Sequence, residues 1–216
     1  MTDNEGVMAT RKGKKLTRSF YERPTLKIGP ELIGKYIVYK WPDGRMSAKI
    51  VEVEAYIGQS DPACHAARGM TPRNRVMFGP GGFSYIYFIY GMYNCLNFVT
   101  EPKGKPAALL LRAAEPCEGL ELMRQNSPRK KDMDLLSGPG KFCRSFGLTR
   151  KQNGLDLTGD TLWIEDRHET PPNIVQTKRI GINSGTELPW RFYDTDSQAV
   201  SVFDRQAATV VRTAGN

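Results

Sequence analysis

Apolar and polar positions along the chain set out a series of short strands with a few helices between them. Lys35–Lys40 and Met46–Tyr56 read as two strands around Pro42-Asp43-Gly44, which has the residues of a tight turn, so the three segments predict a hairpin. From Ile50 to Tyr56 the alternation is strict, and successive strand side chains point to opposite faces. Glu52, Glu54 and Tyr56 are therefore expected on one face, with Val51, Val53 and Ala55 on the other. Phe83–Ile89 and Met92–Thr100 read as strands joined at Tyr90-Gly91. Ala107–Arg112, Leu162–Asp166 and Ala199–Phe203 are further short strands. Helices are expected over Phe20–Gly34, over Pro116–Gln125, and from near Gly140 to Phe146. Asp61–Pro80 is loop-like, and residues 1–18 are polar, basic and aperiodic, which predicts a disordered tail. No repeat and no long linker divides residues 19–216, so the expected fold class is α+β, a single mixed domain with mainly antiparallel pairing.

Composition agrees with a folded chain: 39% of the 216 residues are hydrophobic and 25% charged. The formal net charge of +8 points to a polyanionic partner. The basic tail holds part of it, and the body is basic without it. Val76–Thr100 carries no charge, but it holds several glycines, a proline and two asparagines. A membrane helix needs about 20 mainly apolar residues, so this stretch is expected to be buried strands and a turn. The four cysteines form no CxxC pair or Cys/His cluster, which argues against zinc and for reduced thiols in an intracellular protein.

Several segments are candidates for chemistry, each with an ordinary reading beside it. The Glu52/Glu54/Tyr56 face is either solvated or a carboxylate presented on a rigid element. His65 lies in the loop and has no companion ligands for a metal. The run Tyr85–Tyr93 places Tyr90 at a hairpin tip. There it is either part of an aromatic core strand or a wedge of the sort that unstacks nucleic acid. Thr71-Pro72-Arg73-Asn74-Arg75 suits phosphate contacts or an ordinary surface loop. Ser137-Gly138-Pro139-Gly140-Lys141 precedes a helix but does not match a P-loop, so capping is its plain reading.

Taken in order, these segments resemble the alkyladenine (3-methyladenine) DNA glycosylase family, in its bacterial form. The resemblance runs through Glu54-Ala55-Tyr56, His65, residues 71–75, Met77-Phe78, residues 85–93 and Asn97. It continues through residues 110–116, 137–141, 179–181 and 190–193. It implies a curved, mainly antiparallel sheet with a projecting hairpin, and a monofunctional enzyme that hydrolyses the glycosidic bond of damaged purines. By the same resemblance, Glu54 activates water and Arg112 helps hold that water and the glutamate. Tyr56, His65 and Tyr87 sandwich an extruded base, Asn97 screens its edge, and Tyr90 enters the duplex in its place. Thr71, Arg73, Arg75, Met77 and Lys141 are expected against the DNA backbone, and Glu52 is expected to support rather than react.

The chemistry makes sense of these residue types. A base inside a duplex must leave the stack before its bond to the sugar can be reached. Aromatic faces attract a cationic alkylated purine more than a neutral one. A carboxylate can stabilise the oxocarbenium-like state and take a proton from water. No metal or cofactor is called for. The expected partner is duplex DNA with damaged purines, and the expected state is a monomer without a membrane. The expected place is with the chromosome, in a bacterial cytoplasm or a eukaryotic nucleus. Residues 182–188 depart from the longer segment of bacterial relatives, which leaves substrate breadth open. A non-catalytic damage binder on the same fold, and a fold relative acting on tRNA or a formyl carrier, are the alternatives.

Overall fold

The computed structural model describes residues 13–41, 44–129, 131–170, 172–204 and 210–211. In chain order these form β1 (Lys14–Lys15), α1 (Arg18–Tyr21), α2 (Thr25–Leu32), β2 (Tyr36–Trp41) and β3 (Gly44–Ile57). Then come β4 (Ser84–Ile89), β5 (Tyr93–Thr100), β6 (Ala107–Glu118), α3 (Leu120–Asn126) and α4 (Pro139–Ser145). The last are β7 (Leu162–Asp166), β8 (Ile174–Thr177), β9 (Arg191–Asp194) and β10 (Val210–Val211).

Every pairing among these strands is antiparallel, in the order β1-β7-β2-β3-β6-β5-β4, with β9, β8 and β10 branching from β3. The fork at β3 positions everything that follows. Its first half pairs with β2, Glu52–Glu54 pair with β9, and β6 lies along its other edge from Ser47 to Ile57. The helices α2 and α4 pack on the sheet and α3 on α4. Ile28, Leu32, Phe142 and Phe146 are wholly buried there, each burial favouring the fold by about 1.5–3 kcal/mol.

The α+β expectation holds, and so do the two hairpins β2–β3 and β4–β5. The turn expected at Pro42-Asp43 lies outside the described residues. The single helix expected over Phe20–Gly34 is two, because Pro24 disfavours helix at the residue before it. The helix expected from Pro116 starts instead at Leu120, and Pro116 belongs to β6. It is tolerated there because the ladder slips at that point, where Ala48 faces Pro116 and Ser47 faces Glu118. Ala199–Phe203 is not a strand: the Ser201 N–H is committed to a side chain, described below, rather than to a neighbouring strand. Residues 1–12 of the expected tail lie outside the described residues, but 13–18 are ordered against the body. Lys14–Lys15 pair with β7, and Arg18 donates to the Gly81 carbonyl and to Asp156.

Candidate active site

The strict alternation expected for β3 breaks on either side of Glu52. Ile50 pairs with Ala114, Glu52 with Ala113 and Val53 with Leu111, so Val51 and Arg112 both fall outside the ladder. Paired bulges of this kind re-aim side chains. Val51 is thereby turned away from the main core that holds Val53 and Ala55 and joins a smaller cluster with Tyr193, Ala199 and Val200. Arg112 is turned toward the glutamates. Its Nε donates to Glu52 Oε1 at 3.0 Å and its Nη1 to Glu54 Oε2 at 3.3 Å. Burial opposes the Arg112 charge, but the two carboxylates outweigh it and raise its pKa above the ordinary arginine value.

The two glutamates, both fully buried, differ in what surrounds them. Glu52 is saturated by Arg112, by Arg191 Nε at 2.7 Å, and by the Ser201 N–H and hydroxyl at 2.7 and 2.9 Å. It ties β3, β6, β9 and the 201 segment together. Glu54 accepts from the Tyr56 hydroxyl at 2.8 Å, the Ile180 N–H at 2.8 Å and Arg112. Those three donors all border a cavity of about 290 Å³, while Glu54 lies directly behind them. Burial first, and the Glu54 carboxylate second, push the Tyr56 hydroxyl far up, so it remains a donor.

The cavity gathers the expected base-pocket residues. Tyr56, His65, Tyr87 and Asn97 all line it, with Tyr85, Leu110 and Ile180–Ile182. Its volume is at the low end for a small-molecule site, fitting one flat group. His65 meets Tyr87 edge to face, with ring centroids 4.5 Å apart, and its Nδ1 lies 2.8 Å from the Tyr85 hydroxyl. Burial, and then the charge of Arg73, push the His65 imidazole down to about 4, so it is neutral near pH 7. The Asn97 amide donates to the Tyr85 and Cys95 carbonyls, and its oxygen accepts nothing among the described residues. An acceptor is therefore left for a ligand.

Asn74 organises the loop that carries His65. Its side chain accepts from the Thr71 N–H at 2.6 Å and donates to the His65 and Gly69 carbonyls. This leaves Thr71, Arg73 and Arg75 exposed. Met77 does not fit the expected backbone contact. It is 1% exposed, lines the cavity, and gives its N–H to the Asn74 carbonyl at 2.9 Å, which leaves it no donor at the surface where Thr71, Arg73 and Arg75 stand. Lys141 donates to the Ser137 hydroxyl at 2.9 Å beside the start of α4.

Tyr90 stands at the hairpin tip, 76% exposed. It and Gly91 have φ of 54° and 67°, and the Met92 N–H closes the turn on the Ile89 carbonyl. Positive φ at both central residues is the demand of a type I′ turn. Tyr90 thereby leaves the Ile86/Phe88 face that simple alternation gives it and borders the cavity beside Tyr87 and Ile89. The tip is held from behind by α4: a side chain at Gly140 would begin 2.6 Å from the Tyr93 ring.

The Ile180 N–H, Arg191 and Ser201 hold the two glutamates, and sequence reasoning gave them no role, although Ile180 and Arg191 lie in the 179–181 and 190–193 segments of the resemblance. A backbone donor leaves no side-chain signal, and the two others reach Glu52 from 139 and 149 positions away. Sequence reasoning gave Arg179 no role either. It binds Asp61 through both terminal nitrogens, at 2.6 and 2.8 Å, and sits 4.7 Å from the Tyr56 ring and 5.1 Å from that of Trp190. Among the described residues, no group of three or more His, Cys, Asp or Glu is placed to hold a metal ion, and no helix is long and apolar enough to cross a membrane.

The family model described as methylpurine-DNA glycosylase matches residues 19–198. Relatives named for 3-methyladenine DNA glycosylase include one from Methanocella arvoryzae, 51% identical over 191 residues, covering 86% of this chain and 95% of that protein. One from Chlorobium phaeobacteroides is 49% identical, covering 87% and 96%. One from Alkaliphilus oremlandii is 45% identical, covering 87% and 98%.

Proposed function

The chain belongs to the methylpurine-DNA glycosylase family and is a DNA N-glycosylase, and from that premise we propose how its own residues do the work. The substrate is duplex DNA carrying N-alkylated purines, 3-methyladenine and 7-methylguanine first. The neutral lesions hypoxanthine and ethenoadenine are candidates for a wider range. The damaged nucleotide leaves the stack, its base enters the cavity between Tyr56, His65 and Tyr87, and Tyr90 takes its place in the duplex. Stacking on such rings favours the extruded base by about 1–3 kcal/mol, which offsets an unstacking cost of a few kcal/mol.

Glu54 is the base that acts on water. Tyr56 and Arg112 stand between it and the cavity, so water meets the carboxylate once one of them gives way to the substrate. The bond from sugar C1′ to the base nitrogen breaks, and its electron pair leaves with the base. A cationic purine departs neutral and needs no proton. Water oxygen bonds to C1′, and its proton passes to Glu54. The developing positive charge on the sugar is met by the same carboxylate. Arg112, held by Glu52, keeps Glu54 in place. The protein acts as a monomer at the chromosome.

One observation carries this reading: Glu54 is held by three donors that themselves wall an aromatic cavity sized for a single base. It is tested by incubating the chain with dimethyl-sulfate-treated duplex DNA and identifying what is released. Free 3-methyladenine and 7-methylguanine, with the sugar-phosphate chain intact, support it. Retained binding to the damaged duplex with no released base decides for a non-catalytic binder.

A further inference from the structure

The two tyrosine walls of the base cavity each carry an arginine, and the two arginines differ in how their charge is matched. Behind Tyr56, the Arg179 guanidinium is bound bidentately by Asp61, and both side chains are fully buried. Its charge is cancelled where it stands. Arg112, which lines the cavity, is likewise matched by Glu52 and Glu54. Over Tyr87 the Arg73 guanidinium lies 5.2 Å from the ring centroid. Arg73 is exposed and has no carboxylate within ion-pair distance among the described residues. It does not line the cavity, so it acts on whatever enters through the Tyr87 ring and the His65 edge. Its influence there is already visible in the neutral His65, to which burial contributes first and Arg73 second.

A ring attracts a cation through the negative potential of its faces. A guanidinium on one face draws on that potential and repels a second cation approaching from the other side. We propose that Arg73 is a specificity-determining residue. It limits how strongly the cavity favours a cationic purine over a neutral purine of the same shape. This rests on the base-pocket reading above and goes beyond it. It assigns the balance between charged and neutral lesions to a residue outside the pocket, and it keeps the cavity open to neutral bases.

The test is an affinity ratio measured with the whole chain at one fixed salt concentration. One duplex carries 7-methylguanine, a cation, and the other 7-deaza-7-methylguanine, its neutral isostere. Both have 2′-fluoro sugars, which resist cleavage by destabilising the oxocarbenium-like state. Arg73→Gln is expected to raise the cation-to-neutral affinity ratio about 2- to 5-fold, the scale of an exposed cation–π contact. Arg73→Lys, which keeps the charge, is expected to stay close to the wild-type ratio. If Arg73 only touches a phosphate, both affinities fall by one factor, the ratio stands still, and the proposal is overturned. A ratio that rises equally in the Lys variant also overturns it, because charge is then not the cause. If the wild-type chain binds neither lesion duplex better than undamaged duplex, the base-pocket reading itself fails.

Discussion

Tyr90 is the residue where local preference and use pull hardest against each other. A non-glycine residue in the left-handed region costs about 1–2 kcal/mol, and a side chain 76% exposed recovers little of that by packing. Strain of this sort persists where function holds it in place. Tyr90→Gly should therefore stabilise the fold by about 1 kcal/mol in denaturant unfolding while weakening affinity for a lesion duplex. Tyr90→Ala should weaken affinity without the gain. Equal stability of the two variants would remove the strain argument, and unchanged affinity would remove the wedge. His65 gives a second prediction. Its pKa is pushed down from 6.5 to about 4, by burial first and Arg73 second. Between those two values the unfolded chain takes up a proton that the folded chain refuses, so stability is intact above the upper value and declines toward the lower one. His65→Gln should flatten that decline. The check is thermal melting of both proteins at neutral pH and midway between the two values.

At the scale of elements, the β3–β6 bulges and the 179–181 segment convert an ordinary hairpin into a site. Period-two reading finds β3 and puts Glu52, Glu54 and Tyr56 together, because a strand face needs only local spacing. It misplaces Val51, because a bulge depends on which partner residue is skipped, here Arg112, some 60 positions away. The hairpin β4–β5 was legible for the same reason as β3, and Tyr90 at its tip was legible from Gly91 beside it. The strands β8 and β9 were missed: each is 4 residues long, too short to show a period. The Asp61–Arg179 pair spans 118 positions and leaves no local mark. It fixes the segment whose Ile180 N–H reaches Glu54, and it backs Tyr56. Leaving one member of a buried pair alone costs about 3–5 kcal/mol. Asp61→Asn should accordingly lower the melting temperature by more than about 6 °C and slow base release in the fraction that folds. A variant that melts with the wild type would mean that the pair is not structural.

At the scale of the whole molecule, the net charge of +8 resolves into parts with different uses. Residues 1–12 hold Asp3 and Glu5 against Arg11 and Lys12 and so carry no net charge. The net positive charge of residues 1–18 therefore rests on Lys14, Lys15 and Arg18. Two of them are partly spent on the body, Lys15 on Asp160 and Arg18 on Asp156. Around the hairpin, by contrast, Arg73, Arg75, Arg129, Lys141 and Arg144 border the grooves beside Tyr90 and β4 with no carboxylate at ion-pair distance among the described residues. If these five meet phosphates, log affinity should fall with log salt at a slope of roughly −4 to −5. Each Ala substitution among them should flatten it by about 0.9. Removal of residues 1–12 should leave both slope and lesion preference unchanged, whereas removal through residue 18 should also destabilise the fold. Composition pointed to a polyanion; only the folded positions show which cations are free to bind one.

The central claim is that Glu54, and not its neighbour Glu52, acts on water in a cavity built for one base. Single-turnover base release from methylated duplex, measured for Glu54→Gln beside affinity for a cleavage-resistant lesion duplex, tests it most directly. The account predicts that release falls by a factor of about 10²–10⁴ while lesion binding is retained. Release within a few-fold of the wild-type rate would contradict it.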